Sequence, residues 1–172
     1  MGLTEIAAGI EVVDEQRDRG VAAVDDTGGE LAEALADYAG DLPCSPEEAA
    51  TVLEAYAGGA RVGEAGHEAG VVPVTAAKTL HLLGMEGVSP LSPVGREVVR
   101  DWVAGELSHA EARELTGADE AEFALAAFVE THDPIPGAEE VLERALADGD
   151  AAASVAKRDH LAETMSGVDD LL

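Results

Sequence analysis

The chain repeats itself. Displaced by 47 residues, it aligns Ser45-Pro46 with Ser92-Pro93, Val52 with Val99, Ala57-Gly58 with Ala104-Gly105, Glu64-Ala65 with Glu111-Ala112 and Gly70 with Gly117, without a gap. Self-similarity at a fixed period marks stacked supersecondary units, and here the helix-end signals recur together with the letters. Serine before proline is an N-cap followed by a residue whose preset φ suits the first helical position. Glycine at the far end permits the left-handed turn that stops a helix. Each copy therefore reads as a helix of about 12 residues closed by glycine, a short helix closed by a second glycine, and a third helix. The third helices are predicted from Pro73 to Leu83 and from Ala121 to Thr131. Small residues match by chance in a chain rich in Ala and Gly; the joint recurrence of caps and apolar spacing argues for duplication instead.

Flanking segments read as helical too. Leu3, Ile6, Ile10 and Val13 recur at a helical period behind Thr4, a candidate N-cap, and Gly20 follows Arg17 and Arg19 as a C-cap does. A β-hairpin from IEVV and VAAV is the alternative, because four-residue apolar runs are not assigned by periodicity alone. Thr27 with Glu30 forms a capping-box pattern ahead of a stripe of Leu31, Ala34, Leu35 and Tyr38. Beyond Pro134-Ile135-Pro136, two more helices are predicted, Glu139 to Leu146 and Ala152 to Met165, before the end SGVDDLL.

Charge excludes several classes. There are 36 acidic and 10 basic side chains among 172 residues, a net charge of −26, several-fold beyond the magnitude of roughly 2–8 that solubility asks of a small domain. Disorder is disfavoured, since 47% of residues are hydrophobic and recur at helical spacing. Asn is absent, Lys occurs twice and Arg eight times, a skew that fits a GC-rich genome and the carboxylate-covered surface of a protein living in molar salt. No stretch approaches 18 uncharged apolar residues, and the N-terminus lacks a basic region ahead of its apolar residues, so neither a membrane span nor a signal peptide is expected and the expected compartment is the cytoplasm. A single cysteine, Cys44, excludes an internal disulfide. His67, His81, His109, His132 and His160 show no HxxxH spacing, so no metal is expected, and no cofactor or enzyme signature is present.

The stretch RVGEAGHEAGVVPVTAAKTLHLLG, Arg61 to Gly84, resembles a helix-turn-helix of the resolvase and homeodomain-like type. Ala65 and Gly66 are small where two helices would cross, Gly70 permits the left-handed turn, and Pro73 opens the next helix. Ala76, Leu80 and Leu83 would face the core, leaving Val74, Thr75, Ala77, Lys78 and His81 outside. The resemblance implies that this helix enters the major groove of double-stranded DNA. Thr75 and Lys78 would then reach bases or phosphates, His81 would lie farther along, and Arg61 could touch the backbone. The motif departs from the family in lacking Arg, Gln and Asn on that helix. The chain as a whole also resembles the small acidic proteins of haloarchaea.

The distribution of charge points to the same region. Residues 55–96 hold Arg61, Lys78 and Arg96 against Glu64, Glu68 and Glu86, so the entire excess of 26 negative charges falls elsewhere. A surface spared the acidic covering meets a partner, either DNA or protein. The second copy reads as structural: Asp119, Glu120 and Glu122 would repel phosphate, while Trp102, Phe123, Leu125, Ala127 and Phe128 read as core or as packing between the copies. Asp101, Glu106, Glu111 and Glu114 read as solvated surface, Cys44 as a buried or incidental thiol, and SGVDDLL as a frayed end or a docking peptide.

The expected fold is all-α, with two tandem tri-helical helix-turn-helix-like units and N- and C-terminal helical extensions. Its divisions are 1–27 (N-terminal helix and extended segment), 28–88 (a helix plus the first unit), 89–136 (the second unit) and 137–172 (C-terminal helices and acidic tail). The expected function is that of a non-enzymatic DNA-binding regulator using Arg61, Val74, Thr75, Lys78 and His81. The alternative is an adapter that applies the same face to a protein of the transcription or translation apparatus.

Overall fold

In the computed structural model, which describes residues 26–166, eight helices follow one another and no strand occurs among the described residues. They are α1 (Asp26–Ala36), α2 (Pro46–Ala57), α3 (Val62–Glu68), α4 (Pro73–Leu82), α5 (Pro93–Val103), α6 (His109–Thr116), α7 (Glu120–Thr131) and α8 (Glu139–Ser166). The helix expected at 3–19 lies outside the described residues.

Helix starts obey the predicted spacing. Those at 46, 62 and 73 recur at 93, 109 and 120, each 47 residues on. The chemistry at these starts recurs as well: Ser45, Ser92 and Ser108 each accept a hydrogen bond from a backbone N–H of the first turn, and Pro46 and Pro93 stand at the first helical positions. Gly70 and Gly117 both adopt positive φ, +72° and +64°. Packing departs from the parallel, however. In the first set α3 lies against α4 and α2 against both, whereas in the second α5 carries the main contacts to α6 and α7.

Two apolar clusters result. The larger joins α1, α2, α4 and α8 through Leu31, Leu35, Val52, Leu53, Leu80, Leu83, Val141 and Leu142, and the smaller joins α5, α6 and α7 around Val99, Ala112, Phe123 and Ala126, with Trp102 against it. Packing of α4 against α7 connects them.

Three expectations need correction. The helix expected after a Thr27 cap begins at Asp26, which places Thr27 inside it. The two helices expected beyond Pro136 are one, α8, running through Gly149. Gly149 is there because α8 passes the end of α2 so closely that a Cβ would stand 2.5 Å from the Ala57 carbonyl oxygen. Close approach, rather than a helix break, accounts for this glycine. Finally Ala77, expected on the outer side of its helix, is buried, because α7 covers part of that side.

Candidate functional site

The helix pair α3–α4 forms as its small residues dictate. Ala65 is fully buried, and a Cβ on Gly66 would stand 3.1 Å from the Val71 carbonyl oxygen and 3.2 Å from the Ala76 Cβ, so any larger residue would make its neighbours give by a few tenths of an ångström where the helices cross. Ala76, Leu80 and Leu83 are fully buried as expected. Thr79, also buried, donates its hydroxyl to the Thr75 carbonyl at 2.9 Å and lies 3.4 Å from the Cys44 sulfur. Burial pushes the Cys44 thiol up, against a weaker opposing pull from the Thr79 hydroxyl, and the Glu48 charge adds to the rise, which favours the protonated thiol over the thiolate.

The residues expected to meet a partner have different surroundings. Arg61 is the exposed N-cap of α3, its backbone N–H donated to Glu64 at 2.8 Å. Val74 and Thr75 are half-buried on the first turn of α4. Lys78 and His81, one turn on, are drawn to α7. The Lys78 ammonium lies 4.6 Å from the centre of the Phe128 ring, the cation–π arrangement, worth about 0.5–1 kcal/mol at an exposed site. His81 meets the same ring edge-on at 6.2 Å and brings Nε2 within 2.6 Å of the His132 carbonyl oxygen. His132 stacks on Phe128 at 3.9 Å, and its Nδ1 lies 3.0 Å from the Phe128 carbonyl. Arg96 is also engaged: with Arg100 it holds Glu130, at 2.8 and 2.6 Å to separate carboxylate oxygens.

Beside this cluster lies an open groove of about 550 Å³ lined by Lys78, Trp102, Val103, Ala124, Ala127, Phe128, Thr131 and His132. Its walls are mainly apolar, and Val103 is half exposed at its rim. No carboxylate lies within 4.0 Å of the Lys78 ammonium among the described residues. Sequence reasoning placed Lys78 and His81 but missed Thr131, His132 and Val103. The available signal was that two of the chain's five aromatic residues, Phe123 and Phe128, share one helix and sit on different faces, one for its own core and one for a neighbour.

The remaining candidates fall to structural roles. Glu111 closes a capping box with Ser108, whose hydroxyl and backbone N–H hold its carboxyl below the usual range. Asp101, Glu106 and Glu114 are exposed. No cluster of three His, Cys, Asp or Glu side chains able to hold a metal occurs among the described residues, and none of their helices is long and apolar enough to cross a membrane.

The family of unknown function DUF7858 matches the chain over residues 1–170. The chain belongs to that family. No curated protein and no solved structure matches it. The match takes in all eight helices of this family member, both apolar clusters and the groove between α4 and α7.

Proposed function

We propose that the protein is a non-enzymatic adapter that receives an apolar segment of a protein partner in the groove between α4 and α7. The observation that carries this reading is the seating of α7 against the outward side of α4, which turns a protruding helix into one wall of a groove. A recognition helix has to enter a major groove about 12 Å wide with its outer face free. Here Lys78 and His81 are directed at Phe128 and His132, and Arg96 at Glu130. The electroneutrality of residues 55–96 supports either partner, since a surface without net negative charge suits a protein contact as well as phosphate. The acidic remainder fits work in a salt-rich cytoplasm.

Ala124 is exposed, lines the groove and belongs to neither core cluster, so Ala124→Arg fills the site without disturbing the fold. In a pull-down from cells in molar KCl, wild-type protein is expected to retain a nuclease-resistant partner that Ala124→Arg loses, the two proteins having the same circular dichroism. The DNA reading through Arg61, Val74, Thr75, Lys78 and His81 predicts the reverse: retention of duplex DNA on a filter, insensitive to Ala124→Arg and abolished by Lys78→Glu. That result would replace the adapter.

A further inference from the structure

The 47-residue repeat gives the groove between α4 and α7 a counterpart inside the same molecule. Displaced by that period, Val103, Ala124 and Ala127 of the groove wall correspond to Tyr56, Ala77 and Leu80. In the first copy these positions are closed. Ala77 and Leu80 are buried, and Tyr56, from the last turn of α2, packs on the larger cluster with its hydroxyl 3.8 Å from the Met85 sulfur just beyond α4. In the second copy they are open. Val103, on the last turn of α5, is 50% exposed, Ala124 is exposed, and the groove of about 550 Å³ runs from Val103 to Thr131 and His132 at the end of α7.

Valine at the tyrosine position lacks the ring and hydroxyl that pack the first copy. Trp102, the neighbouring ring, does not make up the difference: it is turned to Phe123 at 5.1 Å and to His109 at 5.5 Å, and so forms a wall of the groove. Charge at the rim is unusual for this chain. Arg96, Arg100 and Arg113 each have a carboxylate within 4.0 Å, whereas the Lys78 ammonium has none among the described residues and rests on the Phe128 ring. None of the residues lining the groove is acidic.

We propose that the partner segment of the adapter reading, on which this inference rests, anchors itself here by an aromatic side chain with an acidic residue beside it. The ring takes the place at Val103 that the Tyr56 ring takes in the first copy, against Trp102, Ala124 and Ala127. Aromatic side chains bury about 150–250 Å² each and dominate interface energetics, and anchors of this kind act by filling a pocket on the partner. The acidic neighbour meets Lys78 without displacing another carboxylate, whereas a basic neighbour would face it as a like charge. The ring has to come from another protein. All five aromatic residues of this chain, Tyr38, Tyr56, Trp102, Phe123 and Phe128, lie among the described residues and pack within their own fold. Residues 1–25 and 167–172 contain no Phe, Tyr or Trp, and a second copy has no ring to spare.

The test selects a displayed library of random dodecapeptides on the full chain in 2 M KCl, after removal of peptides that bind the Ala124→Arg protein. The expected result is a set of peptides carrying Phe, Tyr or Trp next to Asp or Glu. Changing that ring to Leu in the best peptide is expected to weaken it at least tenfold, a readout that needs no variant of the protein. Val103→Tyr, which gives the second copy the side chain of the first, is expected to abolish binding with the circular dichroism unchanged. Aliphatic peptides that Ala124→Arg loses would overturn this inference and leave the adapter standing. So would aromatic peptides with Lys or Arg beside the ring, a ring-to-Leu change without effect, or full binding by folded Val103→Tyr protein. A selection that yields no peptide sensitive to Ala124→Arg would remove the adapter reading as well.

Discussion

Two glycines inside helices have opposite reasons for being there. At Gly63, in α3, a Cβ would meet nothing within 4 Å, and φ is ordinary. Gly63→Ala is expected to stabilise by about 0.5–1 kcal/mol, the helix-propensity gain. At Gly149 the same change gains that propensity, yet its Cβ would lie 2.5 Å from the Ala57 oxygen, 2.9 Å from its carbonyl carbon and 3.0 Å from its Cβ. Two of those atoms are backbone, so α2 and α8 would have to part, and overpacking of this kind costs about 1–3 kcal/mol. Gly149→Ala is therefore expected to lower the urea midpoint and Gly63→Ala to raise it. A rise in both would mean that α8 does not pass α2 this closely. Residue-level reading of the sequence separated such cases only in part. Gly66 and Gly70 follow from local grammar, a helix crossing and a left-handed turn, whereas the reason for Gly149 lies on Ala57, 92 positions away in the chain.

At the scale of elements, helix starts were the most legible feature because each is written locally. Ser45, Ser92, Ser108 and Asp119 all cap, and the predicted 47-residue spacing holds at every start of α2 to α7. Ends and pairings were less so. Nothing local states that α5 and α7 are joined through Glu130, whose side chain is 9% exposed beneath Arg96 and Arg100. Burial alone would raise the Glu130 pKa; hydrogen bonds from Arg100 and Arg96, reinforced by their charges, outweigh it and hold the carboxyl below its ordinary value. A folded-state pKa below the unfolded one stabilises the protein above the unfolded value and ceases to do so as pH falls through the folded one. Glu130→Gln is thus expected to cost about 1 kcal/mol at pH 7, since both arginines are partly exposed, and the gap from wild type should narrow toward pH 3. The check is urea denaturation of both proteins at the two pH values in the same salt; a gap unchanged at pH 3 would place the stabilisation elsewhere.

The whole molecule is governed by its charge, and the sequence stated the total without its geometry. That Lys78 lies over Phe128 was not readable, because the contact joins residues 50 positions apart on two different helices, α4 and α7. That 26 excess negative charges must be housed on the surface was readable at once. Compaction brings those carboxylates together, and only three ion pairs, two joining α5 to α7 and one joining α6 to α7, offset them among the described residues. Their mutual repulsion opposes folding in proportion to how far each charge is felt, a distance of about 10 Å at 0.1 M salt and about 3 Å at 1 M. At the lower concentration each carboxylate senses neighbours across a helix diameter; at the higher one it senses only direct contacts. The folded state should therefore gain stability steeply between 0.1 and 2 M KCl. Circular dichroism is expected to show a helical, cooperatively melting protein in 2 M KCl and a lower melting temperature or loss of helix near 0.1 M. The gain should appear with KCl but not with an equal osmolality of sucrose, which favours burial without screening charge. Equal stability at both salt concentrations would show that the acidic surface does not limit folding and would remove the basis for reading it as an adaptation to salt.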